Sequence, residues 1–205
     1  MTVTPGVVLA FGLLLGMQHA TEADHLAAVA ALAGRARSLK AGMVHGIAWG
    51  TGHALVLLLV AGGLAGLGWA LSPLIAGNVE RVVGAMLIVL GVGVVRRLRH
   101  AAHVRSKPEA LPWRSVAVGM VHGLAGSAAL ALLVSQSMPS PAGMLAYVGV
   151  FGLGSIFGMA LLSGALAIPL GLTARHLTRP HRILNVGAAV FSIGLGARLL
   201  LAPGA

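Results

Sequence analysis

Seven consecutive residues, His19-Ala-Thr-Glu-Ala-Asp-His25, bring together four groups able to hold a cation or carry a proton: His19, Glu22, Asp24 and His25. The whole 205-residue chain has only four acids, and two of them are here. Neutral imidazole is a common ligand of first-row divalent metals, and a carboxylate either offsets charge or fixes the other ring nitrogen. Three further histidines stand in apolar surroundings: His45, His53 and His122. His53 and His122 lie beside glycines and read as lining a common route, whereas His45 reads equally as a hydrogen-bonding strut between helices. These seven residues are the candidate metal set. Cysteine is absent, which removes thiolate sites and thiol redox chemistry and leaves nitrogen and oxygen donors.

Spacing leaves one question open within the cluster. At about 100° per residue, His19, Asp24 and His25 project near 0°, 140° and 240° and cannot all face one ion on a regular helix. Either the helix is distorted there, or Glu22, at about 300°, shares a face with His19 and His25 in place of Asp24. His45 and His53, eight residues apart, project within about 80° of each other and can face one pathway.

The elements that must position these side chains are membrane spans. The chain is 58% hydrophobic and 9% charged, and apolar runs such as 54–71 are long enough to cross a bilayer as helices. They do not alternate as barrel strands would. The expected fold is an all-α membrane protein of six transmembrane helices, about 5–34, 41–71, 77–98, 114–138, 142–174 and 181–202, forming one transmembrane domain over 1–205. The N-terminus lacks a basic segment and a clear cleavage site, so the first helix is expected in the mature protein.

The formal charge of +10 does not point to nucleic acid, because the basic residues sit at the ends of apolar runs. With six spans, 12 of the 14 Lys and Arg residues fall after helices one, three and five, leaving Arg81 and Arg198 on the other side. The positive-inside rule then puts both termini outside, periplasmic in a Gram-negative cell.

A shift of 103 residues places Gly16-Met17-x-His19 on Gly119-Met120-x-His122, and Gly84, Gly91 and Gly93 on Gly187, Gly194 and Gly196. Two three-helix halves, 1–102 and 103–205, inverted in the membrane, account for this and are common among secondary transporters. The longer local match of 42–48 with 119–125 does not extend to other helices and reads as one small-residue packing device used twice.

The string His19-Ala-Thr-Glu-Ala-Asp24-His25 resembles the H-x-x-x-x-D-H signature of the nickel/cobalt permeases, and Thr51-Gly52-His53 is similar to their second signature. The short length and Gly-Met-Val-His-Gly-Leu-Ala-Gly-Ser at 119–127 look like the compact branch of urease-accessory and nickel-transport membrane proteins. The resemblance implies transport of Ni²⁺ or Co²⁺ across the inner membrane, with His19, Asp24 and His25 essential and His53 contributing. The metal is then the transported ion and not a cofactor, and no enzyme activity is implied. Two departures stand out: the larger permeases have eight spans, and Ala54 occupies a position where the family often has a hydroxyl residue.

Three alternatives share these motifs. An exporter usually carries a longer histidine-rich loop than His100 and His103 provide, and the capture subunit of an ATP-driven complex typically begins Met-His, not Met1-Thr2. The third is a membrane factor that hands nickel to a urease or hydrogenase maturation protein. No Walker A sequence is present, so the chain is not itself expected to be an ATPase. Metal choice, direction, proton coupling and oligomeric state are open at this level.

Overall fold

The computed structural model describes residues 5–33, 38–67, 73–100, 113–137, 140–176 and 178–202. Among them are seven helices and no strand: α1 Pro5–His19, α2 Ala23–Ala33, α3 Leu39–Leu67, α4 Pro73–His100, α5 Trp113–Ser137, α6 Pro141–His176 and α7 Thr178–Leu201. The described residues are therefore all-α, as the apolar runs lead one to expect. Residues 34–37 and 101–112, which hold much of the basic connecting sequence, lie outside the described residues.

Local signals start the helices where the sequence places them. Pro5, Pro73 and Pro141 open α1, α4 and α6, positions that need no N–H donor. Ser38 and Ser140 cap α3 and α6, each hydroxyl accepting an N–H three residues on, from Ala41 at 3.2 Å and from Gly143 at 3.1 Å.

The first expected segment is not one helix. α1 stops at His19, α2 starts at Ala23, and the two are bent by 54°. Neither Gly nor Pro makes this break. The Thr21 hydroxyl donates to the Gln18 carbonyl at 2.6 Å, closing α1 with a side chain, and the Glu22 carbonyl accepts the Leu26 N–H at 2.9 Å, opening α2. At the far end of α2 the Arg97 guanidinium, from α4, donates to the Ala31 carbonyl at 3.0 Å.

Four helices are long and apolar enough to cross a membrane, over 39–64, 77–99, 141–173 and 179–201, and the bent pair α1–α2 makes a fifth. The six-span expectation needs α5 as well. The side chains of α5 are described only over 113–125, a stretch shorter than a membrane span. The outer surface is apolar, with Phe11, Val89, Leu153, Ile183 and Leu201 all exposed, as lipid contact requires.

Glycine fixes how the helices meet, and the successive contacts give their directions. Gly12 faces Tyr147 and Gly16 faces Phe151, so α1 runs parallel to α6. His45 meets Ser115, Trp49 meets Gly119 and His53 meets Gly123, so α3 runs parallel to α5. Gly42, Gly46 and Gly50 descend α6 past Ser163, Met159 and Ile156, an antiparallel pair. α4 and α7 are also antiparallel, Gly84 facing Gly196 and Gly91 facing Ala189. At Gly16, Gly46 and Gly119 a β-carbon would overlap the neighbouring helix's carbonyl oxygen, so no larger residue permits these approaches.

Candidate metal centre

The break in the first span answers the projection question. Bending the chain after His19 turns α2 back so that His19 and His25 face each other, their ring centroids 4.4 Å apart. α3 brings His53 to 5.1 Å from His19 and 5.4 Å from His25. α5 brings His122 to 4.8 Å from His25. Two groups of ligand atoms result, His19 with His25 and His53, and Asp24 with His25 and His122, each within 4.8 Å. His25 belongs to both.

Hydrogen bonding aims the rings. His25 Nδ1 lies 3.0 Å from Asp24 Oδ1, which also accepts the His25 backbone N–H at 2.9 Å. His19 Nδ1 lies 2.8 Å from Glu22 Oε1, and His122 Nδ1 lies 3.3 Å from the Val118 carbonyl. Each of these oxygens accepts, so the acceptor assigns the proton to Nδ1 and leaves Nε2 with a free lone pair. This is the arrangement by which carboxylates and carbonyls orient metal-binding imidazoles.

The free nitrogens are buried and have nothing to bond. Nε2 of His25, Nε2 of His122 and both ring nitrogens of His53 are enclosed without a hydrogen-bond partner. Each such group costs about 1–3 kcal/mol of lost hydration. His25, His53 and His122 are all at most 1% exposed, and the Asp24 carboxylate adds a second oxygen 3.7 Å from His122 Nε2. Concentrated lone pairs beside a carboxylate, shielded from water, could hold a cation, and the donor set of imidazole and carboxylate fits a first-row divalent metal.

The expected residues do not share one role. His19, Asp24, His25, His53 and His122 are brought together. Glu22 is exposed and reaches the cluster through His19, so it acts as an orienting group for that ring. His45 is outside both groups and bonds Ser115 on α5 at 2.9 Å. One neighbour escaped notice in the sequence: Trp49 is buried, stacks on His25 and meets His122 edge-on, with both ring centroids at 5.4 Å. Its position midway between His45 and His53, four residues from each, is the signal that marks it.

The nearly full-length similarity of this chain to a characterised protein agrees with the motifs. Urease accessory protein UreH of Bacillus sp. (strain TB-90) is 29% identical over 199 residues, covering 91% of this chain and 87% of that protein. The chain is a homologue of that accessory protein. The resemblance to the urease-accessory branch of the nickel/cobalt permeases, read from His19 to His25 and from 119–127, is thereby supported along the chain and not only at its motifs. No family model matches the chain, and no solved structure matches it significantly.

Proposed function

We propose that the chain is a secondary permease that carries Ni²⁺, or Co²⁺, across the bacterial inner membrane through the His/Asp centre, as a single transmembrane domain. The observation that carries this reading is the convergence of imidazoles, among which His25 and His122 are oriented by oxygens and keep their remaining nitrogens buried and unbonded, beside His53 with both ring nitrogens buried and unbonded. His19, His25, His53 and His122 would ligate the ion, with Asp24 offsetting charge and orienting His25. Inward movement is favoured by a negative interior at about 2.3 kcal/mol per charge per 100 mV. The positive-inside distribution supports a topology with both termini outside, periplasmic in a Gram-negative cell.

Reciprocal contacts support two inverted three-helix halves, with α1–α2, α3 and α4 matching α5, α6 and α7. Gly16 on Phe151 parallels Gly119 on Trp49, and Gly154 on Leu13 parallels Gly52 on Val116, at offsets of 102 or 103. The capping residues Ser38 and Ser140 share the offset of 102. In α4 and α7 the offset becomes 105: adding it to Gly84 and Gly91 gives Ala189 and Gly196, which contact Gly91 and Gly84 in return. Gly187 and Gly194 meet nothing within 4 Å, so the glycine match at 103 does not describe packing there. α1 is parallel to α6, α6 antiparallel to α3, and α3 parallel to α5. The equivalent helices α1 and α5 therefore point in opposite directions, as inversion requires. His19 and His122 are equivalent positions, which suits a site at the interface of the halves.

The test is ⁶³Ni uptake into liposomes containing only this protein, with an inside-negative potential imposed. Potential-dependent uptake that ceases in a Co²⁺ excess supports the permease. The relative's role as a urease accessory protein favours one second reading, a membrane factor that hands nickel to urease maturation. Nickel binding without flux in the same liposomes would select it. Under either reading, Glu22→Gln should weaken Ni²⁺ binding by about tenfold, the low end of the range for orienting partners. Calorimetric titration of the purified variant checks this, and unchanged affinity would remove Glu22 from the centre.

A further inference from the structure

We propose that the ion path continues inward from the metal centre through a second, water-sized chamber whose polar groups are His45, Ser115 and Ser163, and that the Trp49 indole is the partition between the two. The inference rests on the permease reading and adds a route and a gate to it.

Three observations locate the chamber. A small cavity of about 10 Å³ is lined by Gly42, His45 and Trp49 from α3, Ser115 from α5 and Ser163 from α6, with Val29 and Leu32 of α2 closing it on an apolar side. That is the lower limit of the space that admits one water. Ser115 and Ser163 are buried, at 2% and 6% exposed, inside a bundle whose surroundings are apolar. Polar side chains from three helices meeting around water-sized space in a membrane bundle mark a pathway more readily than a packing accident.

Trp49 lines this cavity and also touches the metal centre, stacking on His25 and meeting His122 edge-on. It is therefore a wall common to both compartments. His45, Trp49 and His53 follow one another at intervals of four residues, so they stack as a column along one stripe of α3. An ion leaving His53 toward His45 has to pass the indole. The indole N–H is buried without a hydrogen-bond partner, so ring packing alone holds the side chain in place and no bond has to break for it to swing.

The order of the column gives the direction. His45 lies six residues from the start of α3 and His53 fourteen, about 9 and 21 Å along the axis. The start of α3 carries exposed Lys40 and follows Arg35 and Arg37 in sequence, so the positive-inside rule puts that end at the cytoplasm. His53 then sits near mid-membrane and the His45 chamber lies between it and the cytoplasm. The chemistry suits a transient stop: one imidazole and two hydroxyls, with no carboxylate, bind a divalent cation more weakly than the centre does and release it.

The experiment compares Ni²⁺ affinity, measured by calorimetry on the detergent-purified full chain, with initial ⁶³Ni flux in liposomes. His45→Ala and Ser163→Val are each expected to slow uptake at least about fivefold while affinity stays within about twofold, the pattern of a step after binding. Trp49→Ala is expected to accelerate downhill exit of preloaded ⁶³Ni by at least about fivefold, with Trp49→Phe close to wild type. If His45→Ala does not fold, Ser163→Val carries the test, because it leaves the His45–Ser115 bond in place. Wild-type flux in the chamber variants, or loss of affinity and flux together in Trp49→Ala, would overturn the chamber and gate while leaving the permease reading intact. Absence of flux in the wild-type protein would overturn both.

Discussion

His25→Ala is expected to lower Ni²⁺ affinity by at least about 100-fold, the largest loss from any single substitution in the centre. Loss of an orienting partner alone costs about 10–100-fold, and His25 contributes more than orientation. It is the one residue common to both ligand groups, so its removal leaves each with two members. Its ring also touches His19, His53, His122 and Trp49, so the variant opens a gap at the point where α2, α3 and α5 meet. Asp24→Asn should be milder, at about tenfold: the amide oxygen can still accept from His25 Nδ1, but the negative charge is gone. Calorimetric titration of the purified proteins gives both values. His25→Ala binding within threefold of wild type would contradict the assignment of the centre.

Much of this centre was legible in the sequence because polar groups are so expensive in an apolar bundle that their presence identifies them. His19, Asp24, His25, His53 and His122 stand out by residue type alone. Their convergence was not legible. A regular helix scatters His19, Asp24 and His25, and the break that reconciles them comes from hydrogen bonds of Thr21 and Glu22, which ordinary helices also tolerate. Of the two alternatives left by the helical projection, the distorted helix is the one found; Glu22 does not take the place of Asp24 and meets only the His19 ring. Trp49 was hidden for the opposite reason. An aromatic residue in an apolar run has the appearance of core filler, and the packing of α2 and α5 against α3 is what brings His25 onto its face and His122 edge-on to it. The helical segments followed from the apolar runs, but the break in the first did not; among the described residues four single helices and the bent pair α1–α2 qualify as spans by length and apolarity.

Gly119→Ala is expected to destabilise the protein by about 1–3 kcal/mol or more, the usual cost of forcing an extra carbon into a packed interface. Gly119 sits where α5 crosses α3, and a β-carbon there would overlap the Trp49 carbonyl oxygen and lie 2.7 Å from Trp49 Cδ1. The obstacle is backbone, so the helices must separate. A β-carbon on Gly123, one turn on, would lie 2.5 Å from the His53 carbonyl oxygen, so it belongs to the same seam. Separation there moves His122 away from His25 and His53, so Ni²⁺ affinity should fall with stability even though Gly119 bears no ligand. Gly62→Ala provides the contrast. It adds the same methyl group within α3, but nothing lies within 4 Å of the new carbon. That variant should gain up to about 1 kcal/mol from helix propensity and keep its metal affinity. Thermal unfolding in detergent, read beside calorimetric titration, separates the two. Equal stability of Gly119→Ala and Gly62→Ala would mean that the α3–α5 seam does not hold the centre together. A drop confined to Gly119→Ala would show that the close approach of two backbones, set by a residue without a side chain, positions the histidines.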